Sequence, residues 1–418
     1  MERGEGCWVE DIHGNRYFDL ISGMQLQNVG YGRREIAEAV YEQLVKINYA
    51  PEHTTNEPAL RLVDRLASLA PDKESRVFLV SGGSEGIETG LKMAKKYHKL
   101  RGEPGRYKVI SRTGSYHGGT LATISLGGGA GAGDKDFGPL MPGNVHVSMP
   151  NPYRCLYCSQ KVECSLECGR DVERAILDEG PELVAAFVAE PLSAATCTVP
   201  HPDYWPTVRS ICDRYGVVII ADEVVTGFGR TGKMFASDHW GLVPDILVGA
   251  KGLSSGYQPI GAAIASKRVA DTFVGGDREM FRHIFTFGGH PAASAAALAN
   301  LDILEREGLV ENSAKMGAYL YDQLQTLYEH PIVGDVRGGL GLLCGIELVK
   351  DRATRERFPS DAGLGRKATA AFLRHGLLAR QRGDIIFLIP PLIVTRDEID
   401  YVVGQVDKVL SDVEQDLV

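Results

Sequence analysis

Two apolar stretches of the chain decide its fold: residues 217–230 read VVIIADEVVTGFGR, and residues 245–252 read DILVGAKG. Each holds a short run of valine, isoleucine and leucine bounded by turn-forming or acidic residues, which predicts a buried parallel strand. Asp222 ends the first run, and Lys251 follows the second. Since α/β sheets bind ligands at the carboxyl ends of their strands, we expect this acid and this amine to share one site.

An acid and a lysine in this arrangement indicate one kind of chemistry. A lysine amine forms a Schiff base with pyridoxal 5'-phosphate (PLP), and an acid keeps the pyridine nitrogen protonated so that the ring accepts electrons. The plainer alternatives are a helix-capping acid and a solvated lysine, both common at strand ends. The other motifs of the chain decide between these interpretations.

Composition and charge restrict the class of protein. The chain has 418 residues, enough for a large domain and a smaller one, with 44% hydrophobic and 24% charged residues. Its net charge of −9 argues against a protein that binds nucleic acid or other polyanions. No apolar run approaches the length of a membrane span, and the first residues lack an apolar signal core. We therefore expect a cytoplasmic protein that binds neither nucleic acid nor membranes.

Half of the cysteines form a cluster in the sequence. Eight cysteines in 418 residues are too few for a disulfide scaffold, but four follow the spacing C-x2-C-x5-C-x3-C: Cys155, Cys158, Cys164 and Cys168. They are candidate ligands of a structural zinc ion or an iron–sulfur cluster. The alternative is a surface loop of reduced cysteines without a metal, because the segment has no histidine and its second half lacks the usual paired spacing.

Periodicity along the chain predicts a hairpin near the N-terminus and then alternating strands and helices. The hairpin spans 8–20. Besides the two apolar runs described first, strands are predicted at 77–80, 109–111, 184–188 and 260–265. The glycine- and proline-rich segment 127–150 is predicted to be a long loop. The C-terminal part is predicted to be an α+β unit. We predict an N-terminal segment of a small domain over 1–50, a large domain over 51–305 and the C-terminal small domain over 306–418.

Candidate phosphate ligands lie at a predicted helix start. Gly83 and Ser84 follow a strand and open a helix, where backbone N–H groups and the helix dipole favour an anion. The alternative is an ordinary helix cap. Thr286 is a second candidate phosphate donor.

Other side chains are candidates for holding the ring and the substrate. Tyr116 and His117 follow a predicted strand, where the tyrosine ring can stack on a pyridine face, and Val224 can pack on the opposite face. Glu190 ends a strand before a proline, at the same edge of the sheet. Arg380 can bind a carboxylate through two hydrogen bonds, although a solvated surface arginine is the more common case.

The residues 222–232, DEVVTGFGRTG, with PDI at 244–246 and KG at 251–252, resemble the signature of the class III (omega) aminotransferases. The resemblance extends from about residue 11 to residue 391. It implies the α/β fold of PLP-dependent fold type I enzymes. Such a fold has a large domain with a mixed, mostly parallel seven-stranded sheet between helices, and a smaller α+β domain built from the N- and C-terminal segments.

The resemblance also implies a role for each candidate residue. Lys251 is the Schiff-base lysine and proton-transfer base, Asp222 pairs with the pyridinium nitrogen, and Tyr116 stacks on the ring. The remaining implied cofactor ligands are Gly83, Ser84, His117, Glu190, Val224 and Thr286. Thr286 is expected to bind the phosphate of a neighbouring subunit, which implies a homodimer with shared sites, or a tetramer. Arg380 is expected to hold the substrate carboxylate and to pair with Glu190 when no carboxylate is bound.

The chain departs from the family pattern in several places. Residues 81–86 read SGGSEG where the family usually has Asn-Ser-Gly-Ser/Thr-Glu-Ala. We predict that Met24 and Gln25 line the amine pocket. Many amine transaminases have a tryptophan near these positions. Because this chain has none there, its amine pocket is expected to have a different shape.

We predict an aminotransferase that moves an amino group from a primary amine or omega-amino acid to pyruvate or 2-oxoglutarate by a ping-pong mechanism. The same scaffold supports two alternatives: a decarboxylase of the dialkylglycine type, and an amino-acid racemase or aminomutase. A non-catalytic protein on this fold is less consistent with the sequence, because Lys251 and Asp222 are both present.

Overall fold

The structure, a computed structural model, describes residues 1–51, 54–128, 136–158 and 163–417. Its strands are β1 (Arg3–Glu5), β2 (Trp8–Glu10), β3 (Arg16–Asp19), β4 (Arg76–Val80), β5 (Lys108–Arg112), β6 (Asn144–Val147), β7 (Val184–Ala189), β8 (Val218–Asp222), β9 (Ile246–Gly249), β10 (Gly261–Ala265), β11 (Val333–Arg337), β12 (Cys344–Leu348), β13 (Leu377–Leu378), β14 (Arg380–Arg382) and β15 (Ile385–Leu388). Its helices are α1 (Ser22–Gln25), α2 (Arg34–Lys46), α3 (Glu57–Leu69), α4 (Gly83–Leu100), α5 (Leu121–Ser125), α6 (Glu167–Glu179), α7 (Tyr204–Tyr215), α8 (Lys267–Ala270), α9 (Pro291–Arg306), α10 (Leu309–Leu324), α11 (Leu364–Arg374) and α12 (Arg396–Leu417).

The central sheet has seven strands in the order β4-β10-β9-β8-β7-β5-β6. Strand β10 runs antiparallel to both β4 and β9, whereas the other neighbouring strands pair in parallel. The predicted mixed, mostly parallel sheet is therefore confirmed. Strands β8 and β9, which were predicted from their apolar runs, are adjacent, so their carboxyl ends lie side by side.

Apolar layers cover both faces of this sheet. Val218 and Ile220 pack with Met93 of α4, while Ile219 between them packs on the other face with Trp205 of α7. Every residue of β7, β8, β9 and β10 is buried, which explains the continuous apolar runs in the sequence. Each fully buried valine or isoleucine contributes about 1.5–3 kcal/mol to folding. This sandwich makes the carboxyl edge of the sheet a rigid base for a site.

Helix α4 lies close to the sheet because two glycines face it. A Cβ atom on Gly86 would lie 2.6 Å from Cγ1 of Val248, and one on Gly90 would lie 3.3 Å from Cγ2 of Ile220. The helix can therefore approach β8 and β9 directly. This contact holds the N-terminus of α4 near the carboxyl ends of the same two strands.

The Gly/Pro-rich segment contains a strand that the sequence prediction missed. The sequence predicts a loop over 127–150, of which 129–135 lie outside the described residues, but residues Asn144–Val147 form β6 and pair in parallel with β5. Local propensity does not predict this strand, because β6 is stabilised by its hydrogen bonds to the neighbouring strand β5.

Two smaller sheets complete the fold, as predicted for the smaller domain. One has the order β1-β2-β3-β13, in which β2 and β3 form the predicted hairpin and β13, from near the C-terminus, pairs in parallel with β3. The other is antiparallel, with the order β11-β12-β15-β14. Segments from both ends of the chain thus pair in one sheet, while the boundaries at residues 50 and 305 stay predictions.

A buried arginine connects these sheets to the central one. Arg230 is fully buried and donates hydrogen bonds to the carbonyl oxygens of Leu342 and Pro390 and to the side chains of Ser22 and Asn28. These acceptors come from the N- and C-terminal segments, whereas Arg230 follows β8. Burial lowers the pKa of Arg230 to about 9.

Within the described ranges, no helix is both long and apolar enough to cross a membrane.

Two helical glycines provide a matched test of this packing. A Cβ on Gly317 of α10 would clash with the backbone carbonyl of Gly341, whereas a Cβ on Gly404 of α12 would have nothing within 4 Å. We expect Gly317→Ala to destabilise the protein by about 1–3 kcal/mol or more. Gly404→Ala should stabilise it by about 1 kcal/mol, because alanine favours a helix. Melting temperatures of both variants test this, and equal shifts would contradict the packing.

Candidate active site

The carboxyl edge of the central sheet opens into a cavity of about 420 Å³. Eight of the residues predicted from the sequence line it: Gly83, Ser84, Tyr116, His117, Glu190, Asp222, Val224 and Lys251. They lie at or shortly after the carboxyl ends of β4, β5, β7, β8 and β9, with Asp222 as the last residue of β8 and Gly83 and Ser84 opening helix α4. We call this space the inner cavity.

Lys251 lies in the short turn after β9, with a strained backbone. Its φ angle is +41°, a conformation that side-chain-bearing residues rarely adopt and that often marks a functional position. Burial disfavours the ammonium form and lowers the pKa of Lys251 to about 8, although Asp222 and Glu190 oppose this effect. About a tenth of the amine is therefore neutral and nucleophilic at pH 7, far more than for an ordinary lysine with a pKa of about 10.4.

Asp222 is held by two hydrogen-bond donors. Its Oδ1 accepts from the backbone N–H of Val224 at 3.0 Å, and its Oδ2 lies 2.7 Å from Nδ1 of His117. A hydrogen bond from His117 to the Asp222 carboxylate requires the imidazole tautomer that carries its hydrogen on Nδ1. The sequence predicted His117 as a cofactor contact but did not show that it orients Asp222.

Glu190 lies behind the same cavity as a buried acid. Burial raises the pKa of its carboxyl group, and the nearby Asp222 adds to this effect. Its backbone carbonyl accepts a hydrogen bond from the buried guanidinium of Arg112. Oε2 of Glu190 and Nε2 of His117, which belong to residues lining the cavity, are among the buried side-chain atoms of the described residues that have no hydrogen-bond partner. Buried polar atoms are normally paired, so these two indicate a site shaped for a polar ligand.

The opposite end of the inner cavity is suited to an anion. Helix α4 begins at Gly83, so the first N–H groups of an 18-residue helix point toward the cavity edge. Oγ of Ser84 accepts a hydrogen bond from the N–H of Gly119 at 3.1 Å, and a Cβ on Gly118 would clash with Ser84. The departure from the family motif at residues 81–86 thus leaves the backbone cradle intact.

These donors and acceptors fit PLP. The helix N-terminus matches its phosphate, the Asp222 carboxylate matches its ring nitrogen, and the buried Lys251 amine matches its aldehyde. A Cβ on Gly83 would lie 3.0 Å from Cγ1 of Val224, so glycine leaves room at the cradle.

A second cavity of about 530 Å³ adjoins the first, and we call it the outer cavity. Its lining includes the three predicted substrate residues Met24, Gln25 and Arg380, and it shares Tyr116, Glu190 and Lys251 with the inner cavity. Nη1 of Arg380 lies 3.2 Å from Sδ of Met24. Met24 and Gln25 belong to the distorted helix α1, in which Ser22 and Gln25 have positive φ angles.

Thr286 is separated from both cavities of its own chain. It is exposed and lines a different depression, where its carbonyl oxygen accepts a hydrogen bond from Oη of Tyr49 at 2.8 Å. Its predicted role toward a neighbouring subunit stays a prediction.

Several residues that line the inner cavity are not predicted from the sequence, including Leu26, Ser254 and Gln258. Ser254 and Gln258 follow Lys251 closely in the chain, and this proximity was the available signal. Leu26 comes from a distant segment and gave no local signal.

The predicted metal site at the four cysteines is not supported. Within the described ranges, no group of three or more His, Cys, Asp or Glu side chains is arranged to hold a metal ion. Sγ of Cys158 lies 3.9 Å from Sγ of Cys164, but Cys168 packs into the apolar core of α6 and α7 while Cys164 is exposed. The four cysteines are free thiols in this structure, and neither the structure nor the family supports the zinc or iron–sulfur hypothesis.

Comparison with known proteins shows the family of the chain. The family profile described as "Aminotransferase class-III" matches residues 1–410. A probable aminotransferase of Mycobacterium tuberculosis is 44% identical over 98% of this chain and 89% of its own length. The putrescine–pyruvate aminotransferase of Pseudomonas aeruginosa is 37% identical over 98% of this chain and 90% of its own.

Solved structures give the same result. An (S)-enantioselective omega-transaminase from Thermomicrobium roseum superposes with a TM-score of 0.93 at 42% identity, covering 98% of this chain and 92% of that one. Both the sequence and the fold therefore match proteins of one kind over nearly the whole chain. The chain belongs to the class III aminotransferase family, whose members use PLP.

Proposed function

We propose that this aminotransferase binds PLP in the inner cavity and moves the amino group of a primary amine or omega-amino acid to pyruvate or 2-oxoglutarate. The observation that carries the proposal is the position of Lys251 and Asp222, at the ends of adjacent parallel strands and in one cavity. The putrescine–pyruvate aminotransferase among its relatives supports a primary amine as donor and pyruvate as acceptor.

Each residue of the inner cavity has a proposed task toward the cofactor. The N-terminus of α4, with Gly83 and Ser84, binds the phosphate. Tyr116 and Val224 contact the two faces of the ring, and the Asp222 carboxylate holds the proton of the ring nitrogen. His117 keeps Asp222 in this orientation through its 2.7 Å contact.

When bound, PLP supplies the aldehyde that takes up the amino group and the ring that accepts the charge left on the substrate carbon. The Nζ atom of Lys251 removes the proton from that substrate carbon as a general base. Its lowered pKa suits this role, because a neutral amine accepts a proton and the resulting ammonium can return it. The Asp222 carboxylate stabilises the protonated ring nitrogen throughout.

The outer cavity is proposed to bind donor and acceptor in turn. The Arg380 guanidinium binds the carboxylate of the keto acid through two hydrogen bonds. For an amine without a carboxylate, Arg380 turns aside, as in its contact with Met24, or pairs with Glu190. Since both substrates use the same space, the first product leaves before the second substrate binds, which gives ping-pong kinetics.

We also propose a homodimer in which a second copy of the chain adds Thr286 to the phosphate site. Several apolar side chains near this segment are exposed, among them Ile284 at 76% and Phe287 at 59%. Tyr116 of the inner cavity is also 53% exposed. Exposed apolar surface of this kind is typical of a protein interface. A tetramer built from such dimers is the other assembly compatible with these surfaces.

Substitution of Lys251 tests the proposed function. We expect the wild-type protein loaded with PLP to lose its near-visible absorbance band when a donor amine is added without keto acid, and to regain it on adding pyruvate or 2-oxoglutarate. In Lys251→Ala, turnover should fall by at least about 10³-fold, because the amine and the base are both lost. Lys267→Ala, at an exposed lysine, is the control and should behave as wild type.

A different reaction of the PLP-loaded protein would contradict the proposed transfer of an amino group. If no amine changes the band, while an α-amino acid releases carbon dioxide or changes its configuration, then the protein is a decarboxylase or a racemase instead of an aminotransferase.

The lowered pKa of Lys251 gives a pH prediction for the cofactor-free protein. The neutral amine predominates above its pKa of about 8, so the rate of PLP uptake should rise with pH and level off above that value. An unperturbed lysine, with a pKa of about 10.4, would give a rate that is still rising at pH 10. Because Asp222 raises the pKa of Lys251, Asp222→Asn should move the midpoint to lower pH. A midpoint near 10 in the wild-type protein would contradict the account.

A further inference from the structure

We infer that Arg337 is a positioning residue that sets the width of the outer cavity by holding the loop of residues 193–198. The inference rests on the proposed function, because it assigns the outer cavity to the amine substrate. Nothing in the active-site motifs involves Arg337, which lies on β11 in a smaller sheet.

The 193–198 loop forms part of the cavity wall. Ala194 and Ala195 line the outer cavity together with Phe387 and Arg380. Reciprocal backbone hydrogen bonds of 3.2 Å between Ser193 and Thr198 close the loop. The loop contributes the two small side chains of Ala194 and Ala195 to the wall, so the space left for a substrate on this side depends on the position of the loop backbone.

The loop is strained and docks on β12. Cys197 has a φ angle of +52°, a conformation that a side-chain-bearing residue keeps only when its surroundings hold it there. Its Sγ donates a hydrogen bond to the carbonyl oxygen of Cys344 at 3.3 Å. A Cβ on Gly345 would lie 3.0 Å from Cβ of Cys197, so the loop approaches the strand where glycine leaves room.

Arg337 supplies a second anchor, beside the 3.5 Å contact from Oγ1 of Thr196 to Sδ of Met149. Nη1 of Arg337 donates to the carbonyl oxygen of Thr196 at 3.1 Å, directly before the strained residue. The guanidinium is itself fixed by Asp335, with a 2.6 Å contact, and by Glu347, which also pairs with Arg154. The side chains of Arg337 and Glu347 are 6% and 1% exposed. Such a buried and paired network has little freedom to move.

The sheet that contains β11 and β12 therefore determines the position of this part of the cavity wall, because Arg337 and Cys344 hold the loop. Loss of the bond from Arg337 leaves the Thr196 carbonyl with the long 3.4 Å hydrogen bond from the Thr198 hydroxyl of its own loop, which does not tie the loop to β11, and lets the strained Cys197 relax. We expect the wall of Ala194 and Ala195 to move and the cavity to discriminate less against bulky amines.

The test measures donor selectivity in Arg337→Lys. Propylamine and benzylamine are used as donors with saturating pyruvate, and the ratio of kcat/KM for benzylamine to that for propylamine is compared with wild type. The ratio should rise by about tenfold, a typical effect of pocket shape, while the cofactor absorbance band stays unchanged. Arg352→Lys is the matched control, because Arg352 also donates to backbone carbonyls, of Val333, Tyr328 and His330, in the same part of the fold.

A second variant acts on the same loop through its other contact and decides the matter if Arg337→Lys does not fold. Cys197→Ala removes the hydrogen bond to Cys344 and should raise the same ratio. Cys212→Ala, at another buried cysteine in α7, is its control. A wild-type ratio in Cys197→Ala and in any folded Arg337→Lys overturns the inference. Failure of the wild-type protein to convert any amine overturns the proposed function instead.

Discussion

The burial of an amine and an acid at one edge of the sheet is the constraint on which the site depends. Removing charged groups from water is costly unless they are paired or change their protonation state. Here Asp222 is held by His117 and the Val224 N–H, and Lys251 responds with a lowered pKa. Strands β8 and β9 fix the relative position of the two groups, since both strands are fully buried between helices. The parallel strands buried between helices therefore stabilise the fold and also hold Asp222 and Lys251 in place.

Around this rigid edge, the space for substrate is formed by more distant parts of the chain. Helix α1 and strand β14 bring Met24 and Arg380 to the outer cavity, and Arg230 connects the segments that carry them through neutral acceptors. The 193–198 loop forms another wall and is anchored on β11 and β12. In the proposed function, cofactor chemistry and substrate selection thus depend on different structural units, and relatives of the chain are named for different amines.

The parts of the fold that local sequence determines were predicted correctly. Strands β8 and β9 are continuous apolar runs because both faces of the sheet are covered, and the hairpin of β2 and β3 has a short polar turn. By contrast, β6 lies in a Gly/Pro-rich segment and is a strand only because it pairs with β5. Helices α6, α10 and α12 were not predicted, and the division of the chain at residues 50 and 305 has no local signal that fixes it.

The candidate site shows the same division. The inner-cavity residues lie at or just after the ends of predicted strands, and the structure brings them to one cavity, while their roles stay predictions. The contact between His117 and Asp222 and the link from Arg337 to Thr196 join residues over 100 positions apart, and no spacing rule predicts them. The cysteine spacing suggested a metal, but spacing alone does not show that one cysteine packs in a core while another is exposed.

The account depends most directly on Lys251 as the residue that carries the cofactor. Reduction of the PLP-loaded protein with borohydride fixes the cofactor covalently to its lysine, and peptide mapping by mass spectrometry then locates it. We predict a single modified peptide, with the added mass on Lys251. Modification of a different lysine, or no modification in protein that shows the cofactor absorbance band, would contradict the assignment of the active site.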